Sequence, residues 1–222
     1  MKNLSIQVEI SPTLYTKNPD SSDLGRKIVS QSIIMIHELG FESFTFKKLG
    51  TQIKSTESSI YRYFDSKHAL LLYLTSWYWT WIEYRLVLST SNVDSATKRL
   101  ERSIEILTQP ITIDKSVSYV NEVLLSEIIF SESIKAYHTR NVDEENKKGC
   151  FKVYKRVVKR VGEMVLELKP QFSYPHMLIS TIIEGAHHQK YFSEHLPALT
   201  DLNSEKNSIT QFYLQLVKNF TQ

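Results

Sequence analysis

The sequence contains one cysteine, Cys150, among 222 residues. A single thiol cannot build an internal disulfide framework and fits a reducing compartment. Glycine and proline are scarce, six of each, and long stretches contain neither. That scarcity disfavours a turn-rich sheet fold and favours helices. The opening stretch "MKNLSIQVEISPTLYTK" has no apolar core followed by small residues, so no secretory signal is expected. The most hydrophobic run, "ALLLYLTSWYWTWI" at 69–82, is too short for a bilayer and is interrupted by Thr75, Ser76 and Thr80. The expected location is cytoplasmic, with no membrane partner. Neither a Gly-rich phosphate loop nor a Ser-centred elbow is present, and Cys150 has no neighbouring His. No catalytic constellation and no cofactor are therefore expected; the chain does not read as an enzyme.

What is present is enough apolar character, 41 %, for a real core. The length suits one large domain, or a small module fused to a larger one. The net charge is +3 and the pI about 8.8. Between residues 47 and 67 stand five cations (Lys47, Lys48, Lys54, Arg62, Lys67) against two anions (Glu57, Asp65), an excess of three that equals that of the whole chain.

Residues 1–23 read as a mobile N-terminal tail ending in the capping residues Ser22 or Asp23. Helical spacing from Leu24 through Leu39 stops at Gly40, a second helix opens after Thr45 and ends near Ile53, and a third runs from Thr56 or Glu57 to Phe64. Ser66 then caps a long fourth helix. Further helices are expected near 67–89, 95–108, 116–139, 142–168, 175–195 and 204–220. The fold class is all-α, with a three-helix module over 24–66 and a larger helical body over 67–222.

The dodecamer "IKSTESSIYRYF" at 53–64 carries the functional signal. Six of its side chains hold hydroxyls, while Ile60 and Phe64 mark one apolar face. A short helix, a tight turn and a second helix with a small polar outer face form a helix-turn-helix, whose second helix enters the DNA major groove. Ser55, Thr56, Ser58 and Ser59 are short enough to let the backbone approach. Thr45, Lys47, Lys48, Tyr61, Tyr63 and Lys67 are placed to donate to phosphates.

These residues resemble the tetracycline-repressor (TetR) family of bacterial transcription regulators. "IVSQSIIMIHELGFESFTFKKLG" is similar to that family's first two helices, and "STESSIYRYFDSKHALL" to its recognition helix and the start of the fourth. The resemblance implies phosphate contacts from Thr45, Tyr61, Tyr63 and Lys67, with Thr56, Ser58, Ser59 and Arg62 nearest the bases. The chain departs from the family pattern at Gln31 and Ser32, where two Ala are usual, and at Gly50, Ile53 and Lys54, where Ala-x-x-Ala-Gly is usual. A Lys in place of a turn Gly costs on the order of 1 kcal/mol if φ is positive there.

The function this implies is a DNA-binding regulator, a ligand-responsive repressor on a palindromic double-stranded DNA operator. One recognition helix reads too few base pairs for selectivity, so a homodimer is expected. Ile179, Ile182, Ile183, Ala186, Phe212, Leu216 and Phe220, from the stripes of the last two helices, form the expected interface. The effector is expected to be a small apolar or aromatic molecule, with its contact residues unknown. Two alternatives belong to other classes. One is a helical interaction protein without DNA binding, suggested by Lys54. The other is a metal-carboxylate bundle enzyme using Glu184, His187 and His188, although a second Glu-x-x-His is missing and no metal is expected. The aromatic run Tyr73, Trp77, Tyr78, Trp79, Trp81, Tyr84 reads mainly as core. The basic stripe Lys152, Lys155, Arg156, Lys159, Arg160 reads as a solvated helix face.

Overall fold

The computed structural model describes residues 10–113, 119–202 and 208–221, and every long element among them is a helix. The N-terminal nine residues of the expected tail, and the first turns expected at 116–118 and 204–207, lie outside the described residues. In chain order the helices are α1 (Asp23–Leu39), α2 (Phe46–Ile53), α3 (Glu57–Tyr61), α4 (Lys67–Thr90), α5 (Ala96–Thr108), α6 (Glu122–Tyr137), α7 (Val142–Lys147), α8 (Lys152–Leu168), α9 (Pro175–His195) and α10 (Ser208–Thr221). The single helix expected over 142–168 is broken. Gly149 takes φ 87°, a left-handed conformation that a helix cannot continue through, and α7 and α8 result.

The chain divides into two compact units, Met1–Thr80 with Ile111–Lys152, and Trp81–Pro110 with Val153–Gln222. The boundary expected after residue 66 is not where the packing divides.

In the first unit every residue from Leu70 to Trp79 is buried. A helix apolar on all sides must be enclosed on all sides, and this half of α4 is the core around which the unit is built. Trp77 and Trp79 are each 2 % exposed, so the aromatic run is core here. On α6, Glu132 accepts the backbone N–H of Phe41 at 3.2 Å. Its neighbour Lys135 bridges Glu132 at 2.7 Å and Glu42 at 3.1 Å, and His37 of α1 meets Glu127 at 2.6 Å. The two carboxylates hold the Lys135 ammonium above its ordinary range, Glu132 contributing most. The bend between α1 and α2 is thus gripped by α6.

Residues 10–22 differ from the expected tail. They form 3-10 turns at Pro12–Leu14 and Pro19–Ser21 and lie against the helix-turn-helix. Leu14 is buried, the Thr16 N–H donates to the Tyr63 carbonyl at 2.8 Å, and the Thr16 hydroxyl donates to Asp65 at 2.8 Å. A Cβ on Gly25 would collide with the Pro19 carbonyl oxygen, so this strap seats only on a glycine. Proline-set turns and side-chain hydroxyls hold it, features that read in a sequence as loop.

In the second unit, Val157, Val161 and Val165 of α8 and Ile179, Ile182 and Ile183 of α9 are buried. The basic face of α8 is partly paired: Arg156 donates from Nε to Glu83 at 2.9 Å. Gly185 lets Tyr213 of α10 press on α9, since a Cβ there would strike the Tyr213 hydroxyl. His187 is interior, and burial pushes its imidazole down to about 3, with His188 and Lys190 adding. An unfolded chain regains the ordinary value near 6.5 and takes up the proton first, so stability is held above pH 6.5 and lost as pH falls toward 3. At pH 5 the loss is about 2 kcal/mol. Urea unfolding at pH 7 and pH 5 should show His187→Leu losing less stability than wild type; equal losses would refute the assignment.

Candidate nucleic-acid interface

Local chemistry sets each helix of the module. The Ser22 hydroxyl caps α1, accepting from Gly25 N–H, and Gly40 ends it at φ 76° with its N–H on Ile36. Thr45 caps α2 by accepting from Lys48 N–H at 3.2 Å, and Thr56 caps α3 by accepting from Ser59 N–H at 3.2 Å. Each cap saves an amide that would otherwise lack a partner. Helix α3 stops at Tyr61, short of Phe64, and the next residues continue as a turn with Tyr63 N–H and Phe64 N–H both donating to the Ile60 carbonyl.

Leu49, Ile53, Ile60 and Phe64 are buried and fasten α2 and α3 to the unit. On the outer side, Thr45, Lys47, Lys48, Thr56, Ser58, Tyr61 and Arg62 are exposed, with Ser55 and Ser59 half-buried. The Thr56 hydroxyl lies 2.9 Å from that of Ser58 and 2.8 Å from that of Ser59, so three hydroxyls form one cluster. Tyr61 is 48 % exposed and stands edge-on to Phe46, ring centroids 5.0 Å apart, which holds its phenol outward.

Three expected contacts are placed otherwise. Tyr63 is 3 % exposed, its hydroxyl 2.7 Å from Ser22 and its carbonyl taken by Thr16, because the strap lies over it. It does not belong to the outer surface. Lys67 donates from Nζ to the Phe41 and Glu42 carbonyls at 3.1 Å each and sits over the Phe41 ring. Lys48 likewise donates to the Ser43 carbonyl at 2.8 Å. Both lysines fasten the α1–α2 bend, and proximity in sequence could not reveal it.

The residues of the expected interface between copies also separate. Ile179, Ile182, Ile183 and Ala186 are buried against the chain's own helices, whereas Phe212 and Phe220 are 58 % and 42 % exposed and Leu216 is half-buried. The metal grouping does not assemble either. Glu184 accepts from the Tyr154 hydroxyl at 2.8 Å, His188 is exposed with Nδ1 2.8 Å from the Glu184 carbonyl, and His187 points inward. No group of three potential ligands occurs among the described residues.

A buried apolar foot, a capped short helix and an outer cluster of hydroxyls beside Arg62 are the parts of a groove-reading helix. Residues 28–74, which contain them, match the family of bacterial regulatory proteins, tetR family. The match is confined to that N-terminal segment. No curated protein matches the chain in sequence. Solved structures share the fold across nearly all of it. A tetR-family bacterial regulatory protein from Rhodococcus RHA1 is 11 % identical with TM-score 0.60, over 90 % of this chain and 97 % of that one. AibR, solved with isovaleryl coenzyme A and operator DNA, is 12 % identical with TM-score 0.59, over 86 % and 97 %. The superantigen PfiT is 14 % identical with TM-score 0.56, over 91 % and 97 %. The chain therefore has the fold and the N-terminal domain of a tetR-family transcriptional regulator. Among the described residues no helix is long and apolar enough to cross a membrane.

Proposed function

We propose that the chain is a homodimeric, ligand-responsive repressor that reads a palindromic operator through α3. One observation carries this reading: the outer side of α3 gathers Thr56, Ser58, Ser59 and Arg62 while Ile60 and Phe64 anchor the opposite side. Thr45, Lys47, Tyr61 and the neighbouring hydroxyl of Ser55 serve phosphates, and Lys48 and Lys67 act through the bend they hold. AibR, of the same fold, is solved with both an acyl coenzyme A and operator DNA, which supports a regulator that answers a small molecule. No catalytic role is assigned to any residue.

The face offered to a second copy is the stripe Phe212, Leu216, Phe220 of α10 with Met177, Thr181, His188 and Tyr191 of α9, which recur at helical spacing on exposed sides. A cleft of about 580 Å³ between α5, the end of α8 and α10, floored by Leu100, Ile104 and Val217, has the size of a small-molecule site and is the candidate effector site. An effector acts by favouring one spacing of the paired recognition helices over another.

Selection from randomised DNA followed by fluorescence anisotropy tests the groove assignment. Arg62→Ala should cost about 1–3 kcal/mol on the selected operator and alter which base is preferred, while Tyr61→Phe should weaken all duplexes alike. If both variants change affinity without changing preference, α3 does not read bases as described.

A further inference from the structure

The cations around the helix-turn-helix fall into two groups. Arg26 pairs with Asp23, Lys27 donates to the Ile53 carbonyl at 3.2 Å, and Lys48 and Lys67 hold the carbonyls already described. Lys47, Lys54 and Arg62 are exposed, and their charged ends make no ion pair or hydrogen bond among the described residues. Lys47 and Arg62 already belong to the proposed DNA-facing set. Lys54 does not, and its backbone is the unusual one.

Lys54 ends α2 at φ 56° and ψ 47°, the left-handed conformation. Among the described residues only one other non-glycine, Asn92, has positive φ, and Asn tolerates it far better than Lys. The turn cannot relax by shifting along α2. Ser55 N–H donates to the Gly50 carbonyl at 2.8 Å, and a Cβ on Gly50 would stand 2.8 Å from the Ser55 carbonyl oxygen. A glycine at 54 would remove the strain, yet the position carries a long cation two residues before the Thr56 cap. The end of α2 is already served electrostatically by Lys27, so capping does not account for a second ammonium there.

We propose that Lys54 is a DNA-backbone contact: the left-handed turn between α2 and α3 projects its ammonium onto a phosphate beside the groove that α3 enters. This rests on the DNA-binding reading above. Such a contact adds affinity without sequence preference and adds one released counterion per protomer.

The test compares full-length wild type with Lys54→Gly, Lys54→Asn and Lys54→Arg by anisotropy. The probes are a selected operator duplex and a random-sequence duplex, titrated from 50 to 200 mM salt. Lys54→Gly should unfold about 2–4 °C higher yet bind both duplexes more weakly. For Gly and Asn alike, the slope of log affinity against log salt should shrink by about 0.9 per protomer, so the wild type's advantage at 50 mM narrows roughly 3.5-fold per protomer by 200 mM. Lys54→Arg should keep the wild-type slope. Wild type that binds with a slope unchanged in Lys54→Asn would overturn this contact alone. Wild type that binds neither duplex at any salt would overturn it together with the function it rests on.

Discussion

Glutamate placed together at Phe212 and Phe220 is expected to leave the protein monomeric and to lower affinity for its operator by on the order of 100- to 1000-fold. Both rings are largely exposed in the protomer, and within it they meet the rings of Tyr213 and Phe172, so the substitutions leave most of the core in place. In a two-fold pair each glutamate occurs twice, and four carboxylates would have to be buried without partners, which costs far more than the apolar contacts they replace. A monomer presents one recognition helix to one half-site and forfeits the specific contacts of the other. Sedimentation velocity should show the loss of the dimer and circular dichroism an unchanged helix content. A double variant that stays dimeric would show that another face mediates pairing. A monomer that binds the operator as tightly as wild type would show that pairing is irrelevant to recognition.

Phe64→Ala is expected to produce the largest loss of stability of any single change considered. The ring is fully buried, meets Tyr73 edge-on with centroids 5.2 Å apart, and ties the end of the recognition helix to the start of α4. Truncating a buried phenylalanine costs about 3–5 kcal/mol, which for a chain of this size lowers the unfolding midpoint by roughly 6–20 °C. Arg62→Ala, two positions earlier, removes an exposed side chain and should stay within about 0.5 kcal/mol of wild type. Thermal unfolding of the two variants separates the anchoring face of the module from its reading face. Similar midpoints would mean that the faces have been assigned the wrong way round.

Much of the architecture was legible in the sequence. Ser22, Thr45, Thr56 and Ser66 announce helix starts because their oxygens satisfy amides only a few residues ahead, a relation that sequence spacing displays directly. The buried pair Ile60 and Phe64 was legible for the same reason, since a four-residue separation places both on one side of a turn. Gly149 was not, because a glycine within an amphipathic stretch reads equally as a tolerated helical residue or as a break, and packing decides which.

The pair Tyr61 and Tyr63 shows where such reading ends. Both are hydroxylated and aromatic, two positions apart, and both suit a phosphate. One is half-exposed and the other covered, because Thr16 and Ser22 arrive from some forty residues earlier in the chain. The isoleucines of α9 make the same point. Their spacing declares that the stripe is covered, but a hydrophobic stripe gains the same free energy against its own chain as against a second copy, and only the coordinates assign it to the former.

The sequence alone thus determined the helices, their caps and the polar character of α3, since these depend on interactions spanning one or two turns. The tertiary structure decided which tyrosine and which lysines remain outside, which stripe is left uncovered, and that residue 54 stays left-handed. Those outcomes depend on segments far apart in the chain meeting, and no local pattern encodes which distant surface arrives.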